Sequence, residues 1–395
     1  MLPVRRLEAL DWLALGLLAA GGLCVAVGWL PADAAGAVLG RVLPLLVFLA
    51  AVIVLAELTA RAEVFDVLAV HLARLARGRY AVLFLLCVLF ASLTTAVLNL
   101  DTTAVLLTPV MLATARKLDL EVVPFAMTTV WLANTASLLL PASNLTNLLA
   151  MDRLGLTPGE FGQVMLWPQV ASVAATAVCL WLLYWRSASP AGGRFPLPAA
   201  HRPSDPFLFY TALIAVVLFV VGVLVGIPLE IAALACAVVL VAAFALRSRR
   251  HLRVHLIPWR LLVLVPGLFL VMGALGAQGL TQLVHGLVNS GQGLSGLLHA
   301  AATGAGLSNA INNLPAYVTG EAAVPADDRT RLLAVLIGTN AGPIITPWAS
   351  LATLLWYERC QSAGVTVSLR KLVSHGAIAA VAATTAAVLA LSLAN

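Results

Sequence analysis

The sequence predicts an all-α polytopic membrane protein, an inverted-topology repeat with one re-entrant helical hairpin and one broken helix per half. Three observations predict it. Of the 395 residues, 62% are hydrophobic and 10% charged, against about 25% charged in a soluble domain. Many apolar stretches run close to twenty residues, the length at which a helix crosses the hydrocarbon core. An interrupted, Asn-rich motif also occurs twice, in the same order.

The elements follow from the hydropathy pattern. A first helix is expected at about 11–30 and a second at about 39–59. No cleavable leader is evident, so the first apolar segment is expected to stay in the membrane. The stretch "RAEVFDVLAVHLARLARGR" (61–79) is amphipathic and basic, which suits a helix lying along the membrane surface. Residues 80–98 and 103–115 read as two arms of a hairpin, ended by "RK" at 116–117. A segment over 122–150 is broken by polar residues and Pro141, and a helix covers about 163–185. These make the first repeat, 1–185. The stretch 186–206, "RSASPAGGRFPLPAAHRPSDP", is rich in Pro, Gly, Ala and Arg and reads as a cytoplasmic linker. The second repeat, 207–395, holds helices at about 207–227, 229–246 and 261–283. It continues with a hairpin over 294–323, a broken segment over 331–356 and a last helix at 372–393.

Charge fixes an expected topology. With Arg5 and Arg6 inside and each hairpin entering and leaving on one side, 19 of the 23 Lys and Arg lie inside; Arg41, Arg153, Arg329 and Arg331 lie outside. That is the positive-inside pattern, and it accounts for the net charge of +6 without nucleic acid. Hairpins that cross fully would also satisfy the alternation but would lose the symmetry of the halves. The expected location is the plasma membrane of a prokaryote. Cys24, Cys87, Cys179, Cys236 and Cys360 lie scattered without a CxxC pair, so neither a disulfide framework nor a metal site is indicated.

The halves repeat each other. "TAVLNL" (95–100) aligns with "NAINNL" (309–314), and "NTASLLLPASNLTNLL" (134–149) with "NAGPIITPWASLATLL" (340–355). Asn99 pairs with Asn313, Asn134 with Asn340, Pro141 with Pro347, Asn144 with Ser350 and Asn147 with Thr353. Interrupted helices in inverted repeats are the mark of secondary transporters. Where a helix breaks inside the bilayer, its backbone groups must be satisfied by protein or by a water-filled cavity. The same groups can hold a solute.

Candidate binding residues are therefore the polar side chains at the interruptions. In the first half they are Asn99, Asp101, Thr102, Thr103, Asn134, Ser137, Ser143, Asn144, Thr146 and Asn147; in the second, Asn312, Asn313, Asn340, Thr346, Ser350 and Thr353. Taken singly, each has a plainer role as glue between helices. Asp101 is the candidate for proton coupling. An ionised carboxylate at the bilayer centre costs on the order of 2.5–3.5 kcal/mol on insertion scales. Burial disfavours the charged form, and a carboxylate that alternates between charged and neutral is what a proton-exchanging carrier needs. Its plainer role is a helix cap for the second arm. Glu57 is the other candidate carboxylate, but it lies near the cytoplasmic end of its helix, within reach of water.

In "LDTTAVLLTPVMLA" (100–113), "NTASLLLPASNLTNLLAMD" (134–152), "SNAINNLPAYVTG" (308–320) and "GTNAGPIITPWASLATLLW" (338–356), the chain resembles the arsenite pump (ArsB-type) membrane protein family. That family belongs to the ion transporter superfamily. The resemblance covers most of the chain and implies export of trivalent arsenic and antimony hydroxides in exchange for protons, with no cofactor. The chain departs from the family pattern in having Asn134 and Asn340 where Asp is expected, and Leu100 between Asn99 and Asp101. Coupling would then rest on fewer carboxylates. The motif cores lack Lys and Arg, which suits a neutral trihydroxide better than a dicarboxylate. "SNLT" (143–146) nonetheless resembles the signature of dicarboxylate carriers, so an anion symporter or a sodium/proton antiporter on the same fold is the alternative. With no HExxH, GxSxG or Walker loop, an enzyme is not expected. The implied partners are a small inorganic substrate, protons and the lipid bilayer. A homodimer and a separate cytoplasmic ATPase subunit are left open.

Overall fold

The computed structural model describes residues 9–199, 202–225, 227–252 and 256–394. Among them regular structure is helical, apart from one isolated bridge between Arg79 and Arg194. Among the described residues six helices are long and apolar enough to cross a membrane, and two shorter apolar stretches lie at 14–26 and 206–222.

The first half runs α1 (Ala9–Ala26), α2 (Ala32–Arg61), α3 (Val64–Leu75), α4 (Tyr80–Val97), α5 (Leu100–Thr102), α6 (Thr108–Lys117), α7 (Val122–Thr135), α8 (Leu145–Leu154) and α9 (Pro158–Leu180). A π-turn, Thr103–Leu107, joins α5 to α6, and another, Trp181–Trp185, extends α9. After α10 (Pro206–Leu224) the second half runs α11 (Leu229–Arg247), α12 (Trp259–Leu275), α13 (Thr281–Val288), α14 (Gly293–Ile311), α15 (Asn313–Ala323), α16 (Arg329–Ala341), α17 (Leu351–Ser362) and α18 (Leu369–Ala394).

The helix ends have local causes. Pro158 opens α9 behind a capping box in which Thr157 and Glu160 exchange hydrogen bonds. Gly155, at φ 63°, closes α8 in the left-handed conformation that a residue without Cβ adopts freely.

The packing partners obey an exchange. α1 packs on α12 while α11 packs on α2; α7 packs on α17 while α16 packs on α8; α9 packs on α18. Swapping α1 with α11, α2 with α12, α7 with α16, α8 with α17 and α9 with α18 leaves these contacts unchanged. α10 stands outside the exchange, between the two halves in the chain. A close seam joins α14 to α16. A Cβ at Gly304 would meet the carbonyl oxygen of Val335 at 2.8 Å, and one at Gly338 would collide with the backbone of Ala301. Small residues let these backbones touch, which is how helices associate without a hydrophobic drive between them.

Three details differ from the sequence expectation. The helix expected over 261–283 is two: a π-turn at Gly276–Leu280 with Gly279 at φ 106° separates α12 from α13. Only a residue without Cβ takes that angle cheaply, and the break turns α13 into the counterpart of the amphipathic α3. The second arm of the first hairpin starts early, because α5 begins at Leu100 and not at 103. The linker is also strapped down. Phe195 is buried and its N–H donates to the Gly78 carbonyl at 3.0 Å, which holds the stretch against the loop after α3.

Candidate functional site

Both hairpins turn on an asparagine in a backbone conformation that L side chains rarely adopt: Asn99 at φ 151° and Asn312 at φ 99°. Each pays for the turn by capping the arm that follows. Asn99 Oδ1 accepts from Thr102 N–H at 2.8 Å, and Asn312 Oδ1 from Leu314 N–H at 3.3 Å. Asn suits this position because it tolerates positive φ and carries a side-chain acceptor. The cap of the first hairpin is therefore Asn99; Asp101 sits two residues further on, in the first turn of α5. Thr103 is fully buried, donating to the Asn99 carbonyl at 2.9 Å and accepting from Thr95 Oγ1 at 3.2 Å.

The two broken helices also end alike. Asn144 caps α8 by accepting from Thr146 N–H, and Ser350 caps α17 by accepting from Thr353 N–H. Backbone freed in the first break is satisfied from several sides. Asn147 Nδ2 donates to the carbonyls of Ser137 at 2.6 Å and Leu140 at 2.9 Å. Ser137 Oγ donates to the Asn134 carbonyl at 2.7 Å and accepts from Asn144 Nδ2 at 3.3 Å. Ser143 Oγ donates to the Ala96 carbonyl in α4, tying this break to the first hairpin. In the second half Asn313 N–H donates to the Ala349 carbonyl and Asn312 Nδ2 to the Trp348 carbonyl, tying hairpin to break again.

The halves then meet side chain to side chain. Asn340 Nδ2 donates to Asn147 Oδ1 at 2.7 Å, and Thr146 Oγ1 donates to Asn340 Oδ1 at 2.6 Å. On the other side of the exchange Asn134 Nδ2 reaches Thr353 Oγ1 at 3.4 Å, while Asn134 Oδ1 is buried without a hydrogen-bond partner. The first contact is saturated and the second is loose.

Two cavities adjoin these elements, and Asp101 lines both. The smaller, about 60 Å³, is a chamber bounded by Asn99, Asp101, Asn144, Asn312 and Asn313 with apolar neighbours such as Phe48, Leu264 and Leu351. Among the described residues no Lys or Arg lines it. The larger, about 390 Å³, is a vestibule lined by Asp101, Thr102, Glu57, Arg61, Arg260 and Arg359 among others. Glu57 Oε1 accepts from Arg61 Nη2 at 2.9 Å, so this carboxylate is paired on its own helix, and Arg61 Nη1 also donates to the His251 carbonyl. Asp101 Oδ1 is buried with no hydrogen-bond partner among the described residues. An acceptor left unpaired in apolar surroundings is costly, and Asp101 holds that position at the junction of the two cavities.

Five of the sequence candidates thus line the chamber: Asn99, Asp101, Asn144, Asn312 and Asn313. Thr102 faces the vestibule. Asn134, Thr146, Asn147, Asn340 and Thr353 form the contacts between halves, with Ser350 supporting Thr353 at 2.9 Å. Thr346 binds Asn309, and Asn309 was missed. It donates to the Gly342 carbonyl at 2.9 Å and accepts Thr346 N–H at 3.1 Å and, through its own carbonyl, Trp348 Nε1 at 2.9 Å. Its signal was present, since it opens the repeated "NAINNL", but it aligns with Thr95 and not with another Asn. Gln169 and Ser172 of α9 were also missed. Gln169 accepts from Leu138 N–H and donates to the Ala136 carbonyl, and Ser172 donates to the Thr135 carbonyl. A lone amide in an apolar helix was the available clue.

A citrate transporter family model matches residues 7–353. An arsenical pump membrane protein of Escherichia coli is 32% identical over 344 residues, covering 80% of this chain and 79% of the relative. One from Yersinia enterocolitica is 33% identical over 342 residues, with the same coverage of 80% and 79%. Among solved structures, the crystal structure of the Alcanivorax borkumensis YdaH transporter, described as having an unusual topology, superposes with a TM-score of 0.56 over 97% of both chains at 14% identity. That likeness is one of fold.

Proposed function

Since the chain belongs to the arsenite pump membrane protein family of the ion transporter superfamily, and is thus a multi-pass membrane transporter, we propose that it exports a trivalent metalloid hydroxide in exchange for protons. The observation that carries this reading is the chamber: about 60 Å³, lined by four asparagines and Asp101, and without a cation. It has room for roughly four water-sized bodies at about 15 Å³ each. A neutral trihydroxide needs donors and acceptors in several directions, and Asn supplies both. A tricarboxylate needs compensation for its charges and far more space.

Asp101 is the coupling group in this reading. Ionised, it accepts hydrogen bonds from the hydroxyls of a bound solute. A proton arriving from the far side neutralises it, turns an acceptor into a donor and weakens the hold on the solute. Asn99 Nδ2 and the side-chain amide of Asn313 complete the binding surface; Asn99 Oδ1 is already engaged in the cap. Alternating access then follows from rearranging the contacts between halves, and the loose Asn134–Thr353 side is the natural place for it to begin.

The second reading, a proton- or sodium-coupled anion carrier, is supported by the citrate transporter match over residues 7–353. Everted membrane vesicles with an imposed proton gradient separate the two. Gradient-driven arsenite or antimonite accumulation without sodium is the expected result. Citrate accumulation with no arsenite uptake, the protein being present in the membrane, would overturn the proposal.

A further inference from the structure

The vestibule has a character of its own. Its volume of about 390 Å³ is over six times that of the chamber, and three guanidinium groups line it: Arg61, Arg260 and Arg359. Glu57 and Asp101 are the carboxylates on the same wall. Three positive groups against two negative ones leave +1 when both carboxylates are ionised and +2 when Asp101 is neutral. The three arginines come from different elements: Arg61 ends α2, Arg260 lies in the first turn of α12 and Arg359 in the last turn of α17. Only the tertiary structure brings them to the wall of one cavity. Arg61 is held in place by Glu57 and the His251 carbonyl. Arg359 is exposed, and its guanidinium has no hydrogen-bond partner among the described residues.

The geometry points to a binding site for a phosphate-type oxyanion in this vestibule, held by Arg260 and Arg359 and oriented by Arg61. This goes beyond the transport reading and does not depend on it. Planar, always-charged guanidinium groups match the geometry of tetrahedral oxyanions and bind them through paired N–H donors. Among the described residues the polar lining of the chamber behind it is four neutral asparagines and Asp101, so an anion that enters the vestibule meets no described cation further in. The site therefore holds an oxyanion at the entrance and does not carry it through. Because Asp101 borders the vestibule, its charge opposes the bound anion, and its neutralisation favours it. Free phosphate and the phosphate of an anionic lipid headgroup present the same chemistry here, since basic side chains at a membrane surface attract both.

The test is calorimetric titration of inorganic phosphate into the full-length protein in detergent. Saturable binding is expected, competed by sulfate but not by chloride at equal ionic strength. R359Q and R260Q should each bind about ten-fold or more weakly, as loss of a charge-assisted hydrogen bond implies, and R359K should keep part of the affinity. D101N, which removes the opposing charge, should bind more tightly than wild type. Nanodiscs distinguish the sources: phosphate binding lost in phosphatidylglycerol but kept in phosphatidylcholine identifies the headgroup as occupant, and binding kept in both identifies free phosphate. Absence of saturable binding in detergent and in both lipids overturns the site, as does competition by chloride equal to that by sulfate, or unchanged affinity in both R359Q and R260Q. Arsenite transport that persists while phosphate fails to bind would sink this inference and leave the transport reading standing.

Discussion

Asn340 and Asn147 face each other across the two halves, with the Asn340 amide donating to Asn147 Oδ1 at 2.7 Å where both side chains are fully buried. Asn147 simultaneously closes two carbonyls of the first break. One side chain therefore links the geometry of a broken helix to the position of the opposite half.

Asn147→Ala should accordingly destabilise the protein more than Asn340→Ala. It strands the Ser137 and Leu140 carbonyls as well as the Asn340 donor, at about 1–3 kcal/mol for each unsatisfied group. The thermal midpoint in detergent is the measurement, and a double-mutant cycle of the pair should give a coupling of about 1 kcal/mol. Equal midpoints for the two single variants would mean that the break is held elsewhere.

The looser counterpart behaves differently. Asn134 reaches Thr353 at 3.4 Å, and its own Oδ1 has no partner. Thr353→Val removes this long contact together with the 2.9 Å buried hydrogen bond to Ser350 Oγ and should cost about 1–3 kcal/mol of stability, most of it from the Ser350 bond. It should nonetheless change transport rate, because the proposed alternating access begins by opening this contact. A rate unchanged within error would remove the side chain from the mechanism.

Asp101→Asn keeps the size and a hydrogen-bonding oxygen but cannot exchange a proton. Gradient-driven metalloid accumulation in everted vesicles should fall to the level of empty vesicles, and whatever exchange survives should lose its dependence on pH. Wild-type accumulation in this variant would move the coupling proton elsewhere, with Glu57, on the vestibule wall, the next group to test.

Gly338→Ala should fail structurally. Its added methyl collides with the Ala301 backbone in the α14–α16 seam, and backbone cannot step aside as a side-chain tip can. Overpacking of this kind costs about 1–3 kcal/mol or more. A sharp drop in folded protein recovered from membranes is expected, and Gly286→Ala, where an added Cβ meets nothing within 4 Å, is the control.

Single cysteines placed in a cysteine-free background test the orientation of the halves. Ala191→Cys and Arg249→Cys should label only from the cytoplasm, and Ala326→Cys only from outside. Labelling of all three from one side would exclude the arrangement in which each hairpin enters and leaves on the same face.

The sequence alone determined the class and the places in the repeated motifs where helices break, but not the further break at Gly279. Those features are local: apolar runs of bilayer length, a proline or paired asparagines that interrupt them, and a repeat visible as aligned residues. It also picked out Asp101, because one carboxylate in an apolar run stands out without any neighbours being known. Only the tertiary structure divided the polar residues by task. Asn99, Asn144, Asn312 and Asn313 meet Asp101 at a chamber, whereas Asn147 and Asn340, of the same residue type and in the same motifs, join the two halves, Asn340 Nδ2 donating to Asn147 Oδ1. Motif position does not distinguish them, since both sets lie at helix breaks. The difference comes from which half lies opposite, and that is set by packing between segments some 190 residues apart. Asn309, Gln169 and the three vestibule arginines eluded the sequence for the same reason. A hydrogen-bond donor or a charge acquires a role from its partner, and the partner is brought to it only by the fold.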